Sequence, residues 1–239
     1  MTTSTRSATR PSSRLAVPAA RKGSAPDRKT QIIRAAEMLF AQYGYHAVPI
    51  RQIADQAKVP LALVRYYYGA KDELFHAIFE RWSHVNEQRL ALLDEALRDS
   101  SPPRLLRRIV QAFAVPVLAL RDDEQGAHYA ALLARELAHP TEESLRARRD
   151  FFDGLARAFL AALRQALPHA HAEQIAWCYQ YMVGAVMSHM QETGHHRVHG
   201  IAGVPAADDA IDSGQLLIDF VVGGMNAAVQ RPSAARAAR

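Results

Sequence analysis

The chain has 239 residues, of which 49% are apolar, with a formal net charge of +5 and a single cysteine, Cys178. No apolar run reaches the roughly 18 residues of a transmembrane helix. Residues 1–26 lack the apolar core of a secretory signal. One cysteine excludes an internal disulfide and fits a reducing compartment, so we predict a cytoplasmic protein with no membrane partner.

The basic residues are concentrated at the two ends of the sequence. Residues 1–29 hold seven Lys and Arg against one acid, Asp27, and residues 231–239 hold three arginines, so the stretch between them is net acidic. Few large apolar residues and many Ser, Thr, Pro and Arg predict a disordered basic arm at 1–26 and a flexible tail at 231–239. The arm either contacts nucleic-acid phosphates or is only a solvated tail.

Three short helices are predicted in succession after the arm. The first runs from about Asp27 to Tyr43 and is closed by Gly44, while Pro49 and Pro60 begin the next two. Two short amphipathic helices with a three- or four-residue turn are the arrangement that sets a helix into the major groove of DNA. This unit is the most informative part of the sequence.

The remainder predicts further helices, because no period-2 pattern of a strand occurs in it. We therefore predict an all-α fold, with the three-helix unit at 27–75 and a larger helical domain at 76–230. The predicted helices run from Lys71 to about Asp99, from Arg104 to Arg121 with a kink at Pro116, from Ala127 to Ala138, from Thr141 to Leu167, from Ala172 to Thr193 and from Ala207 to Gln230.

The last two predicted helices are apolar nearly all round and also carry small residues. A helix that is not one-sided must be buried on several sides. We predict that these helices pack against their copies in a second subunit, with Gly184, Phe220 and Gly224 in the interface of a homodimer. The alternative is that both are ordinary core helices of one subunit.

The segment Lys29–Trp82 resembles the DNA-binding domain of the TetR family of one-component bacterial regulators. The resemblance rests on LFAQYGY at the end of the first helix, IRQIADQAKV across the second helix and turn, and YYYGAKDEL after the third. It departs from the family pattern at Pro60 and Leu63, where small polar residues are usual, and at Arg65 and Tyr68, where Tyr and Phe are common. These departures bear on the operator sequence and leave the docking mode unchanged.

The family pattern implies a helix-turn-helix that binds double-stranded DNA, with Val59, Val64 and Tyr68 packed inside it. Arg65 either reads guanine in the major groove or contacts phosphate. Leu63 either touches a thymine methyl or packs in the unit. The candidate DNA contacts are Arg51, Pro60, Leu61, Ala62, Leu63, Arg65, Tyr66, Tyr67 and Lys71.

The resemblance also implies that the larger domain binds a small-molecule effector and forms a dimer. An apolar or aromatic effector, or an acyl chain, would suit a pocket of aromatic and methionine side chains, each of which could instead be plain core. Arg135 and Glu136 could supply a polar end. The candidate effector-binding residues are Phe113, Tyr129, Leu133, Phe152, Phe159, Trp177, Tyr181 and Met187.

Other chemistry finds little support in the sequence. The histidines His195, His196 and His199 lack the further ligands that a metal site needs, so we predict no metal and no cofactor. No phosphate-cradling loop or nucleophile motif occurs, and no catalytic dyad is visible, so we predict that the protein is not an enzyme. The function predicted is a dimeric repressor, released from a palindromic operator by its effector. A small all-α enzyme or binding protein and an effector-independent DNA binder are the alternatives.

Overall fold

The computed structural model describes residues 27–99, 101–190, 198–203 and 212–230. These residues form helices with no strand among them, so the predicted all-α fold is confirmed. The basic arm at 1–26, His195, His196 and the tail at 231–239 lie outside the described residues. The helices are α1 Arg28–Tyr43, α2 Ile50–Gln56, α3 Leu61–Tyr68, α4 Lys71–Arg81, α5 Ser83–Asp99, α6 Pro102–Leu118, α7 Glu124–Ala138, α8 Glu142–Phe151, α9 Asp153–Ala166, α10 Ala172–His189 and α11 Ser213–Gln230, with a 3₁₀ helix at Ala119–Asp122 between α6 and α7.

Local signals set the ends of the first helices. The Asp27 side chain caps α1 by accepting a hydrogen bond from the Thr30 amide at 2.6 Å, and Gly44 follows the helix at φ +85°. In the turn after α2, Lys58 has φ +54°, and the Val59 amide donates to the Ala54 carbonyl at 3.0 Å. This is the Schellman ending of a helix, in which glycine is the usual left-handed residue.

The first three helices bury apolar side chains between them. Ile53 and Val64 are completely buried and Val59 nearly so, as the sequence predicts. Tyr68 is half-buried, and its hydroxyl donates to the Lys29 carbonyl at 3.0 Å. The side chains that remain on the outer face of α3 are therefore accessible to a partner.

Two predicted helices are each two helices in the structure. The helix predicted from Lys71 to Asp99 breaks at Trp82 into α4 and α5, and the one predicted from Thr141 to Leu167 breaks at Phe152 into α8 and α9. The Trp82 ring stacks on Tyr129 at 5.1 Å, and Phe152 packs edge-on against Phe79 at 6.3 Å. Packing against distant residues has overridden a continuous helical pattern.

The three-helix unit is joined to the larger domain along two helices. α1 packs against α7, and α4 packs against α8, while α5, α6, α9, α10 and α11 form the body of the larger domain. The described part of the last predicted helix begins at Ser213, so its first predicted residues lie outside the described range. None of the described helices is both long and apolar enough to cross a membrane.

Candidate functional site

The outer face of α3 presents a polar and aromatic surface. Ala62, Arg65 and Tyr66 are spaced so as to share one face of the helix and are exposed, Tyr66 to 80%. Arg51 at the start of α2 and Pro60 just before α3 are exposed as well. The structure thus brings five of the nine candidate DNA contacts to accessible positions on α2 and α3.

The other four candidates are partly engaged within the unit. Leu61 and Leu63 are half-buried against its core, which favours packing as the main role of these two side chains. The Tyr67 ring lies 5.3 Å from that of Tyr66 and is 38% exposed. The Lys71 ammonium lies 4.3 Å from the centroid of the Tyr45 ring, and burial lowers its pKa.

A cavity of about 150 Å³ lies inside the larger domain. Its wall is built by side chains from α4 to α10, beginning with Phe79 on α4. The candidate effector-binding residues that line it are Phe113, Tyr129, Leu133, Phe152 and Met187.

The remaining three candidates do not line this cavity. Phe159 is completely buried behind Phe113, with the two rings 5.2 Å apart. Trp177 and Tyr181 stack on each other at 5.5 Å on the outer surface, 52% and 65% exposed. Both faces of α10 are apolar in sequence, so periodicity alone cannot tell its cavity side from its outer side.

The cavity wall includes a buried arginine that the sequence analysis did not predict, Arg89. The side chain of Arg89 is 5% exposed, and its guanidinium carbon lies 3.9 Å from the centroid of the Phe113 ring. Arg89 stands four residues from Val85 and four from Leu93, both buried on α5. Its position inside the inward-facing apolar stripe of an amphipathic helix is the sequence signal that could have identified it.

The electrostatic surroundings of Arg89 contain no paired carboxylate among the described residues. Its Nη1 donates to the Asn86 side-chain oxygen at 3.2 Å, and its Nε is buried with no hydrogen-bond partner. Burial lowers the pKa of Arg89 to about 10, so the group stays charged at neutral pH.

A second polar cluster lies where the three-helix unit meets the larger domain. Glu37 on α1 is buried and accepts hydrogen bonds at 3.0 Å from Arg81 Nη1 and from Trp82 Nε1. Arg81 also donates from Nη2 to Gln125 on α7 at 2.7 Å. Burial raises the pKa of Glu37 to about 7 against the opposing effect of Arg81.

Arg135, expected as a polar end of the pocket, lies at this junction and does not line the cavity. Its guanidinium donates to the carbonyls of Gln42 and Tyr43, at 3.5 and 3.2 Å. Glu136 does line the cavity, where it accepts a hydrogen bond from the Thr141 hydroxyl at 3.2 Å.

The proposed dimer helices carry an exposed apolar surface. Phe220 is 74% exposed, and a Cβ added at Gly184 or at Gly224 would have no other atom within 4 Å outside its own helix backbone. Trp177 and Tyr181 on α10, which packs against α11, are exposed as well, and we call these five residues the α10–α11 surface. Large exposed apolar surfaces of this kind mark interaction sites.

Within the described ranges, no three His, Cys, Asp or Glu side chains gather as a metal site would require. Cys178 is buried, and burial raises the pKa of its thiol. Neither feature adds chemistry to the two surfaces and the cavity already described.

Comparison with known proteins matches both parts of the chain. Residues 32–78 match the family of bacterial regulatory proteins, tetR family, and residues 111–224 match the tetracyclin repressor-like C-terminal domain. The HTH-type transcriptional regulator HbdR of Aromatoleum sp. (strain CIB) is 34% identical over 123 residues, which cover 52% of this chain and 48% of HbdR. The chain thus spans about half the length of this curated relative.

Solved structures share the fold at low sequence identity. HlyIIR, a hemolysin II transcriptional regulator, aligns with a TM-score of 0.58 and 17% identity over 82% of this chain and 96% of its own. AmtR of Mycobacterium smegmatis aligns with a TM-score of 0.57 and 18% identity over 89% and 99%. With both family domains matched in the order that the structure shows, this chain belongs to the TetR family of transcriptional regulators.

Proposed function

We propose that this protein is a dimeric, sequence-specific DNA-binding repressor that works in the cytoplasm. It is released from a palindromic operator when a small apolar or aromatic effector binds. The proposal makes it a binding protein and not an enzyme. The observation that carries it is the position of α4, which begins directly after the exposed α3 and ends in the wall of the cavity.

The DNA side of the proposal depends on the exposed face of α3. Its Arg65 would donate two hydrogen bonds to guanine in the major groove, while Arg51, Tyr67 and Lys71 would contact phosphates on either side. Half-buried Leu61 and Leu63 would hold α3 in place, leaving Ala62 for apolar contact with thymine.

The dimer side of the proposal depends on the α10–α11 surface. Exposed rings at Trp177, Tyr181 and Phe220 would be removed from water by a symmetric partner, and open positions at Gly184 and Gly224 would allow close helix approach. Two copies would then present two α3 helices to successive major grooves, whose spacing is about 34–36 Å.

A continuous row of rings supports coupling between cavity and DNA-binding unit. Phe79 in the cavity wall packs on Phe75 at 5.2 Å, and Phe75 packs on Phe40 of α1 at 5.5 Å. An effector that moves Phe79 would act on α1 through close-packed rings, and on α3 through its packing against α1 and α4, since such cores change between discrete arrangements. The spacing of the two α3 helices would change with it.

Selection from a random duplex pool tests the proposal. We expect the full chain to enrich a palindrome whose half-sites are about one helical turn apart. Arg65→Ala should weaken binding to the enriched sequence by about tenfold or more, as loss of a bidentate base contact does. Arg98→Ala, which removes an exposed arginine on α5, is the matched control and should bind as the parent does.

The same selection also tests the dimer. Phe220→Glu should lose the paired half-sites, whereas Leu145→Glu, an equally drastic change on exposed α8, should keep them. Salt-sensitive binding without any enriched sequence would contradict sequence-specific regulation. Paired half-sites from Phe220→Glu would contradict the α10–α11 interface.

A further inference from the structure

We propose that the cavity takes a small organic carboxylate, with the acid group on Arg89 and an apolar body among the rings. This rests on the proposed function, because it names the class of effector for that same site. It narrows the effector from any apolar molecule to an anion with an apolar body.

The burial of Arg89 costs desolvation free energy, and no carboxylate among the described residues pairs with it to offset this. A charged guanidinium that is 5% exposed has left water, which is unfavourable unless a partner replaces the lost hydration. The only hydrogen bond described for it goes to the neutral amide of Asn86, and its buried Nε has none. Native proteins seldom leave such a group unsatisfied, and a bound ion is one reason why they do.

The partner that this arginine lacks is an anion. A guanidinium offers five donors in a planar fork that matches the two oxygens of a carboxylate. The ionisable groups that act on Arg89 are the phenols of Tyr179 and Tyr129, and both residues line the cavity beside it. Their hydroxyl groups are further donors for an anionic oxygen.

The carboxylates of the cavity wall do not fill this role. Glu136 is engaged by the Thr141 hydroxyl, and Asp153 lies exposed at the start of α9. Neither forms an ion pair with Arg89 among the described residues. No carboxylate of the described residues therefore pairs with Arg89, and in our proposal the ligand supplies this group.

The size of the cavity limits the rest of the ligand. A void of about 150 Å³ with apolar walls is large enough for one benzene ring. Phe113, Phe152 and Met187 supply such walls, with the Phe113 ring already stacked under the guanidinium. A single aromatic ring or a short alkyl chain bearing one carboxylate fits both the volume and the charge.

Isothermal titration calorimetry on the full chain tests this assignment with four probes. Benzoate and hexanoate carry the acid on a ring and on a chain, and benzamide and hexanamide are their neutral counterparts. We expect at least one acid to bind at least about tenfold more tightly than its amide, because charge-assisted hydrogen bonds contribute this much. The tighter acid shows whether ring or chain is preferred.

Arg89→Met removes the charge and keeps an apolar side chain of similar length. In this variant we expect the acid to lose about tenfold or more in affinity and the amide to keep its own, since only the acid depends on the charge-assisted bonds. Arg98→Met, on the same helix and exposed, should leave all affinities unchanged. A general loss of structure would weaken acid and amide alike, so the difference between them reports on Arg89.

Three outcomes would overturn the carboxylate assignment. One is equal binding of acid and amide, another is an acid affinity untouched by Arg89→Met, and the third is the absence of binding by either acid at millimolar concentration. The DNA selection experiment needs no carboxylate or amide, so it tests the regulator independently of the effector class. If a palindrome is enriched but neither acid binds, the proposed function is supported and only the carboxylate assignment is wrong.

Discussion

Arg81 and Arg89 lie on consecutive helices, on either side of the break at Trp82, and their guanidinium groups have opposite surroundings. Arg81 reaches the junction with α1, where Glu37 and Gln125 accept its hydrogen bonds. Arg89 points to the cavity, where Asn86 is its one described acceptor. The fold thus supplies acceptors for Arg81, whereas in our proposal a ligand supplies the missing acceptor of Arg89.

The two regions therefore differ in what a substitution should reveal. At the junction, the polar groups hold α1 on the larger domain, so a change to any of them should appear as a change in stability. At the cavity, Arg89 is already desolvated in the folded protein without a ligand. Removal of its side chain should therefore weaken ligand binding and not stability. Four predictions test this difference.

The largest effect is expected from the titration of Glu37. Because burial raises its folded-state pKa to about 7 from an ordinary value near 4.5, its stabilising contribution is complete below that ordinary value and is lost as pH rises through about 7. The loss between pH 5 and 8 is about 2 to 3 kcal/mol. Urea unfolding at both pH values should show the parent losing this stability between pH 5 and pH 8, whereas Glu37→Gln, which has no carboxyl to ionise, should not lose it. Parallel pH curves would contradict the raised pKa.

Removal of Arg81 comes next in size. Arg81→Met leaves the buried Glu37 with Trp82 as its remaining partner, which should destabilise the fold by about 2 kcal/mol at pH 8. The loss should be smaller at pH 5, where Glu37 is protonated in both proteins. Arg98→Met serves as the control in the same urea series. A loss that does not change with pH would show that Arg81 acts through packing and not through Glu37.

Gly44 offers a third test of the junction. Its φ of +85° strains any other residue, and a Cβ there would lie 2.7 Å from Arg135 Nε. Gly44→Ala should destabilise by about 1 to 2 kcal/mol. Gly69→Ala is the matched control, because Gly69 has φ +69° with nothing within 4 Å of its Cβ position. Thermal unfolding should show Gly44→Ala as the more harmful change, and equal losses would mean that Arg135 moves aside at no cost.

The ends of the first helices could be predicted from the sequence because they depend on neighbouring residues. Asp27, Gly44 and Pro60 each act within one turn of their own position, and the predicted helices there agree closely with the structure. At the break, Trp82 stacks on Tyr129 and donates to Glu37, 45 residues away, and no glycine or proline marks it. Long-range packing of this kind leaves no local pattern to read.

The cavity shows the same limit for a functional site. Phe113 and Met187 line it, whereas Trp177 and Tyr181 lie outside, although all four are large apolar or aromatic residues in the sequence. Composition therefore predicts that a pocket is apolar but does not tell which helix face lines it. Arg89 did carry a local signal, since a charge interrupts the inward stripe of α5 there.

The smallest effect on stability is expected from Arg89→Met, although Arg89 is the more deeply buried of the two arginines. Contact with the Phe113 ring contributes about 2 kcal/mol. The desolvation of an unpaired cation costs several kcal/mol, so its removal offsets the lost contact. Urea unfolding should therefore show Arg89→Met to be as stable as the parent or more so. A loss comparable to that of Arg81→Met would mean that the fold itself depends on Arg89, and the contrast between the two arginines would disappear.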